Sequence, residues 1–469
     1  MSKLEVDKID PQSGTDLELG SSGDTITIPS GATLDASNAT TTLPANVVTT
    51  DGTQTLTNKT IAAGSNTVTG LTNSNLSGSA AISNANLANS SITINDTAVS
   101  LGGSTSISTG GMYKNIIING DMSIAQRGTS VSSITTSSYN TLDRFKLTIG
   151  SAGTWTQSQS TDVPSGQGFA KSLKMDCTTA NASLSSGAYF FLEQQIEGQN
   201  LQYLKKGTAN AESTTLSFWV KSNKTGTYIA ELRDTDNDRT ISKSYTISSA
   251  STWEKKTITY DGDTSGAFTN DNNTSLRLQF HLGAGSSYQS GTLQTSWGAR
   301  TQADEVVGQV NLADSTSNEW YITGVQLEAG TAASDFEFLP FDVNMGRCQR
   351  YYYVFCDRRT SGASPIIDQR AIGGGIGTTH YPDQVSCCIN FPNQMRSVPS
   401  IDQASGTDYY EYYHETTSDK FDSFNSIGAN GVQSMIMRNT NQISASHGVS
   451  GTMVGVSAGN SFMAFDAEL

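Results

Sequence analysis

The densest cluster of side chains suited to recognition is Tyr409-Tyr-Glu-Tyr-Tyr413. A tyrosine offers a flat apolar face and a hydroxyl, the two features by which a sugar ring is held. Alternation along a strand puts Tyr410 and Tyr412 on one face, and Tyr409 and Tyr413 on the other. One face is expected to enter a core and the other to meet a ligand, so these four tyrosines are the candidate binding residues. A second candidate is Asp234-Thr-Asp-Asn-Asp238, where Asp234, Asp236 and Asp238 are spaced like the start of an oxygen-rich Ca²⁺ loop. The sixth and twelfth places hold Arg239 and Tyr245 instead of the glycine and glutamate such a loop uses. A β-turn is therefore the first reading and a structural Ca²⁺ the second; no other cofactor is expected.

Three further patterns point away from catalysis. Gly455-Val-Ser-Ala-Gly459 has the spacing of a nucleophile elbow, but that motif needs an acid and a histidine later in the chain. The last histidine, His447, lies upstream. Cys387 and Cys388, with His380 and His414, match no zinc-finger spacing, and adjacent strand residues point to opposite faces. Glu193 and Glu197 would stand about 13 Å apart on one strand face, beyond the separations glycosidases use. The expectation is a protein that is not an enzyme.

The elements that must position these residues differ sharply along the chain. The first 110 residues contain no Phe, Tyr, Trp, Cys, His or Arg; the first aromatic is Tyr113, and all five Trp lie between Trp155 and Trp320. Without large apolar side chains the leading segment has no core of its own. Leu71-Thr-Asn-Ser-Asn-Leu76 recurs eleven residues later as Ile82-Ser-Asn-Ala-Asn-Leu87, a spacing that suits stacked β structure. Three chains around an axis would bury those apolar residues together with Ile92, so a homotrimer is expected. Thr25-Ile-Thr-Ile28 reads as a short strand.

From 111 onward the pattern is that of compact β domains. Arg144–Ile149, Leu216–Val220, Tyr228–Leu232, Lys256–Tyr260, Leu276–Phe280 and Trp320–Leu327 alternate or run apolar between Gly-, Asn- and Asp-rich turns. Many short strands without helical periodicity predict an all-β fold with a jelly-roll sandwich over 111–345, its tryptophans in the core. Residues 346–469 read as a smaller β domain with a Gly-rich bend at 373–377. The expected order is a 1–45 attachment segment, a 46–110 shaft, the 111–345 sandwich and a 346–469 tip.

Composition narrows the partners. Hydrophobic residues are 35% and charged residues 15% of the chain, and the net charge is −15. With no basic run, nucleic acid is excluded as a partner. No apolar stretch is long enough for a membrane helix, so no membrane insertion is expected. The opening residues lack the apolar middle of a secretory signal, which implies cytoplasmic synthesis. Five cysteines in irregular spacing predict reduced thiols.

Several stretches resemble the tail fibres of tailed bacteriophages, close to those of marine phages infecting cyanobacteria. Val6–Gly14 and Asp51–Ile61 are similar to fibre shafts. Asn115–Gly128, Asp143-Arg-Phe145, Gly324–Gly330 and Arg347–Tyr352 are similar to fibre heads, and Leu216–Lys221 to carbohydrate-binding jelly rolls. The resemblance implies a trimeric component of the virion tail. Its N-terminus would be held by a tail or adaptor protein, and its C-terminal domains would bind a host-surface glycan or lipopolysaccharide. Residues 346–469 are expected to be the main receptor contact. The alternative is a tailspike enzyme that cleaves host polysaccharide.

Overall fold

The structure is a computed structural model. It describes residues 9, 19, 21–33, 35, 69, 87, 89–94, 97–104, 113–359, 371–381, 383–404, 406–414, 416–426, 430–439, 442–446, 448–456 and 461–469, with the backbone alone at 97, 371–381 and 426. The chain divides into two compact units, Met1–Thr105 and Ser106–Leu469. In the first, β1 (Ser91–Ile94) and β2 (Thr97–Ser100) form an antiparallel hairpin. Thr25–Ile28 belong to no strand, contrary to the pattern. Ile9, Leu19, Ile26, Ile28, Leu87 and Ile92 are all exposed in the single chain. The repeat residues Leu71, Leu76 and Ile82 lie outside the described residues.

In the second unit the alternating stretches become β3 (Ser130–Ile134), β4 (Ser138–Tyr139), β5 (Lys146–Gly150), β6 (Thr154–Ser160), β7 (Ser172–Thr179), β8 (Tyr189–Glu197) and β9 (Thr214–Ser222). They continue as β10 (Gly226–Asp234), β11 (Arg239–Ile247), β12 (Glu254–Tyr260), β13 (Thr274–Ala284), β14 (Gly298–Ala299) and β15 (Glu319–Ala329). These make a seven-stranded sheet, β14-β11-β10-β13-β8-β5-β4, and a six-stranded sheet, β12-β9-β15-β7-β6-β3. Within them β7-β15-β9-β12 faces β8-β13-β10-β11. Counted along the chain without the two-residue β14, these are the first, eighth, third and sixth strands opposite the second, seventh, fourth and fifth. That order is the jelly roll.

Period-two alternation fills the space between the sheets. Leu216, Phe218 and Val220 of β9 and Leu278, Phe280 and Leu282 of β13 are buried, and Trp155 stacks on Phe190 with ring centroids 4.3 Å apart. Trp320 joins them. Trp219 and Trp253 do not, being half-buried at the outer surface, while the half-buried Trp297 packs against the edge of that core.

A helix absent from the sequence reading, α1 (Phe341–Gln349), follows the sandwich. Next come β16 (Tyr352–Asp357), β17 (Ala371–Tyr381), β18 (Gln384–Asn390), β19 (Ser400–Gln403), β20 (Tyr410–His414), β21 (Thr417–Phe421), β22 (Asn425–Ser426), β23 (Ser434–Arg438), β24 (Ser450–Gly455) and β25 (Phe462–Asp466). They form sheets β16-β25-β19 and β21-β20-β24-β17-β18-β23-β22 around a second core. The Gly-rich stretch at 373–377 falls within β17, at an irregularity where the pairing with β24 shifts register between Ala371 and Ile376.

The stretches 115–128, 143–145, 324–330 and 347–352 meet at the seam between the two β bodies. Asn119 Nδ2 donates to the carbonyls of Ile124 and Asp143, and its Oδ1 accepts from the Ile124 N–H. A Cβ at Gly120 would lie 2.1 Å from the Val325 carbonyl oxygen, which only glycine avoids. Arg144 stacks on Tyr351, pairs with Glu468 and donates to the Gln195 carbonyl at 2.6 Å. No helix among the described residues is long and apolar enough to cross a membrane.

Candidate functional site

Two of the four candidate tyrosines are core residues. On β20, Tyr410 and Tyr412 face inward with no exposed surface; Tyr410 stacks on Phe421 and donates to the Phe462 carbonyl at 2.8 Å. Tyr412 donates to the Val449 carbonyl at 2.9 Å. Strand alternation requires this, since β20 lies inside its sheet between β21 and β24. Tyr409 is half-buried against the same core, and only Tyr413 is exposed, its hydroxyl tied to Glu411. The four do not form one aromatic platform.

The aspartate triplet sits at a turn, and its carboxylates are partnered by protein groups. Asp234 accepts from the Asp236 and Asn237 N–H groups and pairs with Lys206 Nζ at 2.5 Å. Asp236 accepts from the Thr269 N–H, and Asp238 pairs with Arg233. A buried ammonium already supplies the positive charge beside Asp234. Among the described residues no group of three or more His, Cys, Asp and Glu is arranged to hold a metal. Cys387 is buried and Cys388 exposed on β18, while His414 pairs with Asp419; the His380 side chain lies outside the described residues. All five cysteines are free. Residues 457–459 of the Gly-Val-Ser-Ala-Gly stretch also lie outside them. Glu193 and Glu197 serve different places: Glu193 accepts from Gln279 and Thr148, and Glu197 from Arg350 and Tyr351.

The site that sequence reading missed lies on the outer face of the seven-stranded sheet. Successive outward positions on β8 are Tyr189, Phe191 and Glu193; on β13, Arg277, Gln279 and His281; on β10, Glu231 and Arg233. Cross-strand pairing sets Glu231, Gln279 and Glu193 in one row and His281, Phe191 and Thr148 in the next. The 285–311 segment folds over one side, seated by Val306 and Tyr288 against Ile229 and Ala284. Between that segment and β8 is a cavity of about 180 Å³.

Its wall is a continuous aromatic strip. Ring centroids are 6.4 Å apart for Tyr288–Tyr189, 6.2 Å for Tyr189–Phe191 and 5.0 Å for Phe191–His281. The Tyr189 ring lies across Gly150, where a Cβ would come within 2.7 Å of it. Arg233, Gln279, Arg300 and Glu305 also line the cavity. His281 Nε2 is 3.7 Å from Glu231, too far for a hydrogen bond, and it is buried without a partner, as is Arg233 Nε. Burial, reinforced by the Glu231 charge, pushes the Glu305 carboxyl up to about 7 despite the Arg300 ion pair. Half-exposed rings beside unsatisfied planar polar groups match a ligand with apolar faces and many hydroxyls. The available sequence signal was aromatics on both faces of β8, since Tyr189 and Phe191 point outward while Phe190 points into the core.

No family model and no curated protein sequence matches the chain. Solved structures that overlap it include the enzymatically active domain of tailspike protein 4 from bacteriophage CBA120, at 16% identity over 47% of this chain and 22% of that one, TM-score 0.26. A putative sugar binding protein from Bacteroides thetaiotaomicron overlaps at 14% identity over 46% of this chain and 99% of that one, TM-score 0.26. A family 11 carbohydrate-binding module from Clostridium thermocellum, solved with a mixed-linked tetrasaccharide, overlaps at 10% over 44% and 98%, TM-score 0.22. At these TM-scores the overlap defines neither a shared fold nor a shared function. The class stands on the chain's own topology: an all-β protein built on a jelly-roll sandwich.

Proposed function

We propose that this chain is a receptor-binding tail fibre of a tailed bacteriophage, which binds a host-surface glycan through the outer face of its jelly roll and does not cleave it. The observation that carries the glycan reading is the Tyr288–Tyr189–Phe191–His281 strip, set beside buried polar groups with unmade hydrogen bonds. The fibre reading is supported by the resemblance of Asn115–Gly128 and Arg347–Tyr352 to fibre heads. It is also supported by the aromatic-free first 110 residues, where Ile9, Leu19, Ile26, Ile28, Leu87 and Ile92, among the described residues, are left exposed in a single chain. Three chains sharing that segment would cover them. The 1–45 segment is the attachment to a tail or adaptor protein, and the place of action is the virion tail. Adhesion then rests on multivalency, because several weak sugar contacts on one particle multiply avidity without new chemistry.

The test is adsorption. Host cells pre-incubated with purified chain should lose adsorption of the phage that carries it, and undiminished adsorption at saturating chain overturns the proposal. A second reading, hydrolysis of the bound glycan, is favoured by one arrangement: a carboxyl with a raised pKa, Glu305, in the same cavity region as Glu231 and His281. Release of reducing ends from host polysaccharide, abolished by Glu305→Gln, would establish that reading instead.

A further inference from the structure

A larger cavity, about 470 Å³, opens where β8, the 198–204 turns and α1 meet. It lies within the range of small-molecule sites. The rings of Tyr113 and Tyr203 stand on its rim, each about half exposed, with the amides of Asn200 and Gln394 beside them, and Tyr351 lies deeper. No Asp or Glu lines it among the described residues. Two guanidiniums do, and they differ in state. Arg350 is neutralised by Glu197 in a two-point pair, with Nε–Oε1 at 2.8 Å and Nη2–Oε2 at 2.7 Å. Arg347 has no such pair. Among the described residues no carboxylate lies within ion-pair distance of it, and its one hydrogen bond is from Nη2 to the Asn115 carbonyl at 3.3 Å.

Glu337 stands near Arg347, but its two oxygens accept from the Tyr113 and Asn115 N–H groups. Burial holds the Arg347 guanidinium below the usual arginine value, because its charge is withdrawn from water without full compensation. A cavity with two tyrosine faces, free amides and one unneutralised guanidinium is complementary to a sugar ring carrying a single negative charge. Arginine presents a planar fork that receives a carboxylate through two parallel hydrogen bonds. One free positive charge balances a carboxylate better than a doubly charged phosphate monoester.

We propose that this cavity binds a carboxylated sugar unit, of the uronic acid class, with Arg347 taking the carboxylate and the Tyr113 and Tyr203 rings flanking the sugar. The proposal rests on the glycan-binding reading for the sugar and on this cavity alone for the charge. The experiment titrates the full chain, by ligand-observed NMR, with glucuronate, glucose and glucose 6-phosphate. Glucuronate is expected to bind at least tenfold tighter than glucose and tighter than the phosphate. Arg347→Gln should abolish that preference, and Tyr203→Ala, a change on the exposed rim, should weaken glucuronate binding with the melting temperature unchanged. The double variant Tyr189→Ala/Tyr288→Ala should keep the preference, which separates failure here from failure of the jelly-roll site. Equal binding of glucuronate and glucose, tighter binding of the phosphate, or a preference that survives Arg347→Gln would overturn the proposal.

Discussion

At the scale of single residues, the molecule depends on a few charges placed where water does not reach. The Arg144 and Glu468 side chains are nearly fully buried at the seam, and Arg144 is sandwiched between Glu468 and the Tyr351 ring. Removing one partner of a buried pair leaves the other charge uncompensated, at a cost of about 3–5 kcal/mol. Glu468→Gln should therefore lower the melting temperature by several degrees, as read by calorimetry. Glu305 acts in the opposite sense. Folding raises its carboxyl to about 7, so the native state holds the proton more tightly than the unfolded chain. Its contribution is fully present below the ordinary glutamate range and is lost as pH rises toward 7. Glu305→Gln should flatten the fall in melting temperature between pH 4.5 and 7; an unchanged slope would show that Glu305 is not the group responsible. Sequence reading found the Tyr409–Tyr413 cluster and its alternation but assigned the ligand role to side chains that include core residues. Which face of β20 is buried depends on β21 and β24, and no local pattern records that.

At the scale of elements, strands were legible and their surroundings were not. Leu216–Val220 and Tyr228–Leu232 fall within β9 and β10 because alternating β-branched and aromatic residues fit a half-buried pleat. The short α1 escaped notice, although Pro340 precedes it, Asp342 lies in its first turn and Arg347 in its last, all signals of helix ends. The Gly-rich stretch looked like a bend because glycine is depleted from strands; it falls within β17 at the place where the pairing with β24 jumps from Ala371–Val454 to Ile376–Thr452. The candidate site was hidden because its residues are contributed by β8, β10, β13 and the 285–311 segment, which only folding brings together. Its geometry also depends on a neighbouring strand, since Tyr189 lies across Gly150 of β5. Gly150→Ala should displace the ring and weaken glycan binding several-fold in a titration, with only a small loss of stability.

At the scale of the whole molecule, residues 106–469 are one compact unit in which the last sheets complete the sandwich's seam. The C-terminal body cannot be read as a detachable tip: removing it would strip Glu468 from Arg144 and Arg350 from Glu197. Point substitutions on the intact chain are the informative variants. Assembly is tested by the solution mass of the full chain. Three copies are expected, and a monomer at micromolar concentration would refute the shared shaft. The central claim, that the jelly roll's outer face holds a glycan, is tested most directly by comparing the affinity of the wild-type chain and of Tyr189→Ala/Tyr288→Ala for immobilised host polysaccharide. Loss of two stacking faces should weaken binding at least tenfold, with the chain still folded as read by a cooperative thermal transition, since Tyr288 also helps seat the 285–311 segment. Equal affinity of the two proteins would contradict the account.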